Sequence, residues 1–238
     1  MNKIDSENKV LLISGTSKGI GNYLAQYYVS LGFRVIGCSR SSTDFSHSLY
    51  THLQADVSEE KNILEIFKFI RTECKRLDIL INNAAINPAI VSAALLPYDA
   101  IEKTFKTNVF APMIFCREAV KLMNRNKFGR IINMGSMAAK LEVPGEALYT
   151  STKAALNAYT RVLAKEVSKA GITVNVLAPS AIKTDLSLKI DQNALMEVLS
   201  RNAVADYGEM SDISNAIDLL IKEESSAITG QIIYLGGV

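Results

Sequence analysis

The chain has 238 residues, 48% hydrophobic and 21% charged, which fits a single globular α/β domain spanning residues 1–238. A net charge of +2 gives no electrostatic ground for a nucleic-acid or membrane-surface partner. Three cysteines (Cys38, Cys74, Cys116) without metal-ligand spacing point to reduced thiols in a cytoplasmic protein, and two histidines (His47, His52) argue against a His-centred triad or metal site.

The N-terminal MNKIDSENKV is polar, and no later window has the roughly 18 apolar residues of a membrane span. Val10 to Ser14 (VLLIS) is a run of strand formers that opens directly into Gly15-Thr16-Ser17-Lys18-Gly19-Ile20-Gly21. Apolar residues at helical spacing then run through Leu24, Tyr27, Tyr28 and Leu31 to Gly32. These glycines do not match the G-x-G-x-x-G fingerprint. Strand, glycine turn and helix still bring backbone N–H groups and a positive dipole end to one place, as a pyrophosphate requires; the bland alternative is a tight connection.

Phe33 to Cys38 reads as the second strand and leads into Ser39-Arg40. In a nucleotide-binding βαβ unit a carboxylate here suits a ribose 2′-hydroxyl, whereas a cation suits a 2′-phosphate. Arg40, with Lys18 nearby in the glycine turn, favours NADP(H) over NAD(H), unless both are merely solvated surface cations. His52 to Ala55 is the third expected strand, ending at Asp56-Val57. Asp56 either meets an adenine edge or caps the helix expected from about Ser58.

Asp78 to Ile81 (DILI) is a buried-strand run feeding Asn82-Asn83-Ala84-Ala85, small residues and amides that suit a crevice for a flat cofactor. Asn82 reads equally as a structural amide bonding across strands. Residues 86–98 form a loop, and one long helix is expected from about Asp99 to Arg125 with Asn108 inside it. Asparagine is a poor helix-interior residue, so Asn108 either holds a water or a kink near a site or faces solvent. Gly129 to Met134 is the fifth strand and ends at Gly135-Ser136.

The next helix carries Tyr149 and Lys153, four apart and therefore on one face. A free tyrosine has a pKa of about 10, and a nearby ammonium favours its phenolate. Tyr149 is thus expected to titrate low enough to exchange a proton with an alcohol or carbonyl oxygen near neutral pH. Alone, Y-x-x-x-K is as readily an amphipathic surface pair. Ile172 to Leu177 is the sixth strand, followed by Ala178-Pro179-Ser180-Ala181-Ile182-Lys183-Thr184. Residues 185–206 are expected to form a mobile amphipathic lid. Ser211-Asp212 cap a further helix, and Gln231 to Leu235 is the last strand. Such alternation implies a doubly wound parallel sheet.

Together GTSKGIG, NNAA, Asn108, Ser136, Tyr149 and Lys153 resemble the short-chain dehydrogenase/reductase family, from Val10 to Gly237. The resemblance implies a Rossmann-type α/β sheet of about seven strands with helices on both faces, assembled as a homotetramer or homodimer. It implies that Tyr149 exchanges the proton and Ser136 hydrogen-bonds the reacting oxygen. Lys153 would lower the tyrosine pKa and hold the nicotinamide ribose, and Asn108 would keep a water in the proton relay. Gly15, Ser17, Lys18, Gly19, Ile20, Gly21, Ser39, Arg40, Asp56, Val57, Asn83, Ala84, Tyr149, Lys153, Pro179, Ser180, Ile182 and Thr184 would line the cofactor, with no metal.

Two positions depart from the family pattern: Ser180 and Ala85 stand where glycine is usual. The overall pattern (GRIINMGS, TSTKAAL, TGQIIYLGG) is most similar to 3-oxoacyl-acyl-carrier-protein reductases. That implies reduction of a ketone, such as a β-ketoacyl thioester, to a secondary alcohol. The carrier-docking arginines of that branch would fall at Lys127 and Ala170, and neither is arginine; Lys127 and Lys169 keep positive charge for an acidic partner. A reductase of a sugar or secondary metabolite stands nearly level, and a cofactor-binding protein without turnover is the remaining alternative.

Overall fold

In the computed structural model, which describes residues 9–182, 199–200 and 202–237, the sheet is built from Val10–Ser14 (β1), Arg34–Ser39 (β2), Tyr50–Gln54 (β3), Ile79–Asn82 (β4), Gly129–Met134 (β5), Ile172–Ala178 (β6) and Ile232–Tyr234 (β7). All neighbours pair in parallel, in the order β3-β2-β1-β4-β5-β6-β7. The expected seven-stranded doubly wound sheet is what forms. The third strand starts at Tyr50 rather than His52, because Val35 to Ser39 of β2 offer an unbroken ladder from Tyr50 onward.

The helices are Gly19–Ser30 (α1), Glu60–Phe69 (α2), Tyr98–Phe105 (α3), Ala111–Asn126 (α4), Ala138–Leu141 (α5), Ala147–Val167 (α6) and Met210–Ile221 (α7). Successive strand side chains point to opposite faces, so consecutive apolar residues of β1 serve different layers. Leu12 joins Ile63, Phe67, Phe115 and Leu163 from α2, α4 and α6. Leu11 and Ile13 join Leu24, Tyr28, Ile213 and Ile217 from α1 and α7. Cover on both faces explains why the central strands read as apolar runs rather than alternations.

The expected single helix from Asp99 to Arg125 is two helices, α3 and α4, joined by a π-helical turn at Lys106–Phe110 that contains Asn108. Pro112 contributes to this break: it has no N–H to give the carbonyl four residues earlier, which is that of Asn108. The cap of α7 also differs from expectation. Glu209 is its N-cap, in a capping box with Asp212, and Ser211 lies within the first turn.

Strands branch away from β1 and β4 in opposite directions, which opens a crevice at their carboxyl ends. Beneath it a polar relay joins sheet to helix. Asn82 Nδ2 donates to Asn133 Oδ1 at 2.8 Å, and Asn133 Nδ2 donates to Thr160 Oγ1 at 2.8 Å. The cross-strand reading of Asn82 is therefore the one observed. No helix among the described residues is long and apolar enough to cross a membrane.

Asn133 is fully buried and bonded on both sides, so Asn133→Ala removes two buried hydrogen bonds and leaves Asn82 Nδ2 only its contact with Cys116 Sγ. We expect a loss of about 2–4 kcal/mol in urea unfolding at pH 7; a loss under about 0.5 kcal/mol, the level of a neutral surface change, would mean that the relay does not hold β5 to α6.

Candidate active site

The crevice begins at the turn after β1. Ser14 Oγ accepts the N–H groups of Asn83 and Ala84, each at 3.0 Å, and Asn83 Nδ2 donates to the carbonyls of Ser14 (2.9 Å) and Gly15 (3.2 Å). Asn83 thus ties the end of β4 to the start of the glycine turn. A Cβ on Gly21 would collide with the Gly15 carbonyl, so α1 sits as close to the turn as glycine permits. At Gly19, with φ +58°, an added Cβ meets nothing within 4 Å, so this part of the turn faces open space. The first turn of α1 has no acidic residue and no side-chain cap. Uncapped N–H groups, glycine clearance and the exposed Lys18 fit a pyrophosphate.

At the far end of the crevice Arg40 is exposed and Val57 is buried. Asp56 Oδ1 accepts from the Ser58 N–H at 3.0 Å and the Ser58 hydroxyl at 2.8 Å, closing a turn ahead of α2; the N-cap of that helix is Glu59, without a side-chain cap, so Asp56 does not cap it. Burial works to raise the Asp56 carboxyl, but those bonds and the charges of Arg40 and Lys103 outweigh it and the net shift is downward. Ser39 is turned inward: it is buried, and its hydroxyl donates to the Ser41 carbonyl at 2.8 Å.

Ser136, Tyr149, Lys153 and Asn108 come together where β5 meets α6. The Ala138 N–H donates to Ser136 Oγ at 3.1 Å, and the Ser136 hydroxyl lies close enough to the Tyr149 phenol to favour its phenolate. Lys153 Nζ is buried, donates to the Met134 carbonyl at 2.7 Å and sits 5.6 Å from the centre of the Tyr149 ring. Asn108 clamps the loop after β4 at two points. Its Oδ1 accepts the Ile86 N–H and its Nδ2 donates to the Ile86 carbonyl, both at 2.9 Å, while Nδ2 also reaches Thr152 Oγ1 at 3.2 Å. Asn108 therefore marks a helix break near the site and does not face solvent.

One expectation is overturned for the chain by itself. Burial pushes the Tyr149 phenol up to about 12, against the opposing Ser136 hydrogen bond, and Glu146 adds to the rise. Burial also brings the Lys153 ammonium down to about 8. Desolvation is the largest effect on both groups, so the spacing of the pair alone does not yield a low tyrosine pKa.

Pro179 is buried, and its carbonyl accepts the Met137 N–H at 3.1 Å, which fastens the loop after β6 to the Ser136 loop. Ser180 Oγ accepts from Asn202 Nδ2 at 2.8 Å, so the hydroxyl that replaces the usual glycine is engaged by the protein. Ile182 forms an isolated parallel bridge with Gly208. Thr184 and most of the expected lid (185–198 and 201) lie outside the described residues.

Two further features were not picked out from the sequence. Glu146 is the N-cap residue of α6, half-buried, and burial raises its carboxyl; its place three residues before Tyr149 on one helix face was the available signal. The residue before it, Gly145, has φ +90° and accepts the Val91 N–H at 3.0 Å, with Ile90 packed where a Cβ would stand. The loops of residues 86–98 and 137–146 meet there. Among the described residues no group of acids, cysteines and histidines could hold a metal.

Residues 9–195 match the family profile described as short chain dehydrogenase. The chain is 34% identical to the 3-oxoacyl-acyl-carrier-protein reductase FabG of Rickettsia felis, covering 98% of each. It is 30% identical to the FabG of Salmonella typhimurium, covering 97% of each. Among solved structures, 4-hydroxyisoleucine dehydrogenase complexed with NADH superposes with a TM-score of 0.86 at 31% identity, over 96% of this chain and 97% of that one. ElxO with NADP bound gives a TM-score of 0.87 at 26% identity, over 95% and 96%.

A buried ammonium whose folded pKa is about 8, against about 10.4 when unfolded, costs stability on the order of 3 kcal/mol at neutral pH. The cost is full below about pH 8 and fades as pH rises toward the unfolded value. Lys153→Met removes the charge but also the donor to Met134, so we expect a net gain of about 1–2 kcal/mol at pH 7 that shrinks toward pH 10. Urea midpoints at the two pH values measure this, and equal destabilisation at both would contradict the assigned burial cost.

Proposed function

The chain belongs to the short-chain dehydrogenase/reductase family, and from that premise we propose that this oxidoreductase reduces a ketone to a secondary alcohol, using NADP(H) and Tyr149 as proton donor. The observation that carries the reading is the convergence of Ser136, Tyr149 and the buried Lys153 at the carboxyl end of β5.

A reduced nicotinamide cofactor, when bound, supplies the hydride. Gly15, Ser17, Gly19, Ile20 and Gly21 would hold its pyrophosphate, while Asn83, Ala84, Pro179, Ser180, Ile182 and Thr184 would line its course toward Tyr149 and Lys153. Structural neighbours carry NADH in one case and NADP in another, so the choice rests on this chain's own residues. Exposed Arg40 and Lys18, with no carboxylate directly after β2, favour the 2′-phosphate.

Ser136 and Tyr149 hydrogen-bond the carbonyl oxygen and stabilise the charge that develops on it. The Ala138 N–H occupies an acceptor site on Ser136 Oγ, so the Ser136 hydroxyl acts as a donor, to Tyr149 in the chain by itself and to the carbonyl oxygen when substrate lies between them. A phenol held up near 12 keeps its proton at neutral pH, which is the form a donor needs. Lys153, 5.6 Å from the ring centre, would stabilise the phenolate left behind and would hold the nicotinamide ribose. Asn108 spends its side chain on Ile86 and Thr152, so a relay water would be held through its backbone carbonyl, opposite the missing N–H of Pro112.

The FabG relatives favour a 3-oxoacyl thioester as substrate, presented on an acyl carrier protein near Lys127 and Lys169. Half-exposed Phe110 and Val162, on neighbouring elements, suit a homodimer or homotetramer. Three unpaired cysteines fit a cytoplasmic location.

Tyr149→Phe is expected to lower ketone reduction at least 10³-fold while NADPH still binds, as read by fluorescence titration. Retained turnover would remove Tyr149 from the chemistry. Alcohol oxidation, which needs the phenolate, should rise with pH through an apparent value below the about 12 of the chain by itself, because the positive charge of a bound oxidised nicotinamide would add to that of Lys153 in favouring the phenolate. A rise only near pH 12 would deny both charges that role.

A further inference from the structure

Along β3, Tyr50, His52 and Gln54 alternate onto one face, and each bonds to a turn that borders the crevice. The Tyr50 hydroxyl donates to Thr16 Oγ1 at 3.0 Å, inside the glycine turn. His52 Nδ1 lies 3.0 Å from the Tyr50 oxygen and 3.3 Å from Thr16 Oγ1. On its other side His52 Nε2 lies 3.0 Å from the Ser41 carbonyl and 3.2 Å from Ser39 Oγ. A carbonyl only accepts, so Nε2 carries the proton and Nδ1 receives one from a hydroxyl. Gln54 Nε2 donates to the Arg40 carbonyl at 2.8 Å.

Gly37 of β2 makes this arrangement possible, since a Cβ there would collide with both the Tyr50 and the Thr16 oxygens. Phe45 covers the Tyr50 ring, with centroids 4.9 Å apart. The carbonyls of Arg40 and Ser41 are both held from β3, which fixes the peptide planes that follow Arg40 and hence the direction in which its side chain leaves the turn. One histidine joins the turn after β1 to the turn after β2.

We propose that the Tyr50–His52–Gln54 row positions the Ser39–Ser41 turn against the glycine turn, so that Arg40 is presented to a 2′-phosphate and His52 governs selectivity for NADP(H) over NAD(H). This inference rests on the NADP(H) reading above. His52 is a positioning residue here: it acts through Ser39, Ser41 and Thr16, and has no part in hydride or proton transfer.

The test measures dissociation constants for NADPH and NADH by fluorescence titration of the full chain, with 2′,5′-ADP as a probe of the phosphate end. His52→Leu removes both ring nitrogens, and His52→Gln keeps an N–H able to reach the Ser41 carbonyl. Gln54→Ala, on an exposed residue, frees only the Arg40 carbonyl and serves should His52→Leu fold poorly. We expect His52→Leu to weaken NADPH and 2′,5′-ADP about tenfold, the worth of one charge-assisted contact, and NADH less than about twofold. His52→Gln should recover most of that loss, and Gln54→Ala should shift the NADPH/NADH ratio in the same direction. If wild-type protein binds NADPH no better than NADH, the cofactor reading fails and this inference falls with it. If wild type prefers NADPH but the variants weaken both cofactors equally, or neither, the row is structural only and the inference alone is overturned.

Discussion

A lysine ammonium buried between helix and sheet is the constraint on which the rest of this molecule depends. Lys153 is 3% exposed, and among the described residues its hydrogen bond is to a backbone carbonyl rather than a carboxylate. Burying a cation with so little compensation is unfavourable unless surrounding structure enforces it. Here the enforcement is visible. β5 ends at Met134 with its carbonyl toward α6, the Asn82–Asn133–Thr160 relay fixes sheet against helix one residue earlier, and Ser136 follows two residues later. On the proposed reading this uncompensated charge has a use, because a cation with few partners of its own acts strongly on a neighbouring phenolate.

The two ends of the crevice are built on different principles. The end at Tyr149 and Lys153 relies on burial, which raises one proton affinity and lowers another. The end at Arg40 leaves its cations in solvent and supplies order through backbone carbonyls pinned from β3. Between them lies a stretch in which the protein contributes mostly absence: Gly15 and Gly21 let the turn pack closely on Ala84 and on itself, and Gly19 leaves open space.

Most of the fold was legible because parallel strands covered on both faces leave apolar runs that are hard to mistake, and all seven strands were bounded within two residues. The long helix was misread because the π turn at Lys106–Phe110 preserves helical spacing, and only Pro112 and the misplaced Asn108 hint at it. The candidate site was legible through motif spacing: Ser136, Tyr149, Lys153 and Asn108 do converge. Proton affinities were not, since spacing reports the neighbouring charge and not how much water each group loses. His52 escaped notice for a related reason. Its partners Thr16, Ser39 and Ser41 are distant in sequence and become neighbours only once three strands have paired.

The contact between Val91 and Gly145 couples two regions that are easily treated as independent. The 86–98 loop is hung from the 137–146 loop at the residue just before Glu146, and α6 starts immediately beyond. A change in the first loop is therefore passed to the start of the helix that carries Tyr149. On the proposed reading, a lineage that adapts these loops to new compounds would alter catalytic speed in the same stroke, and its descendants should diversify through paired substitutions on both loops rather than through changes in either one alone.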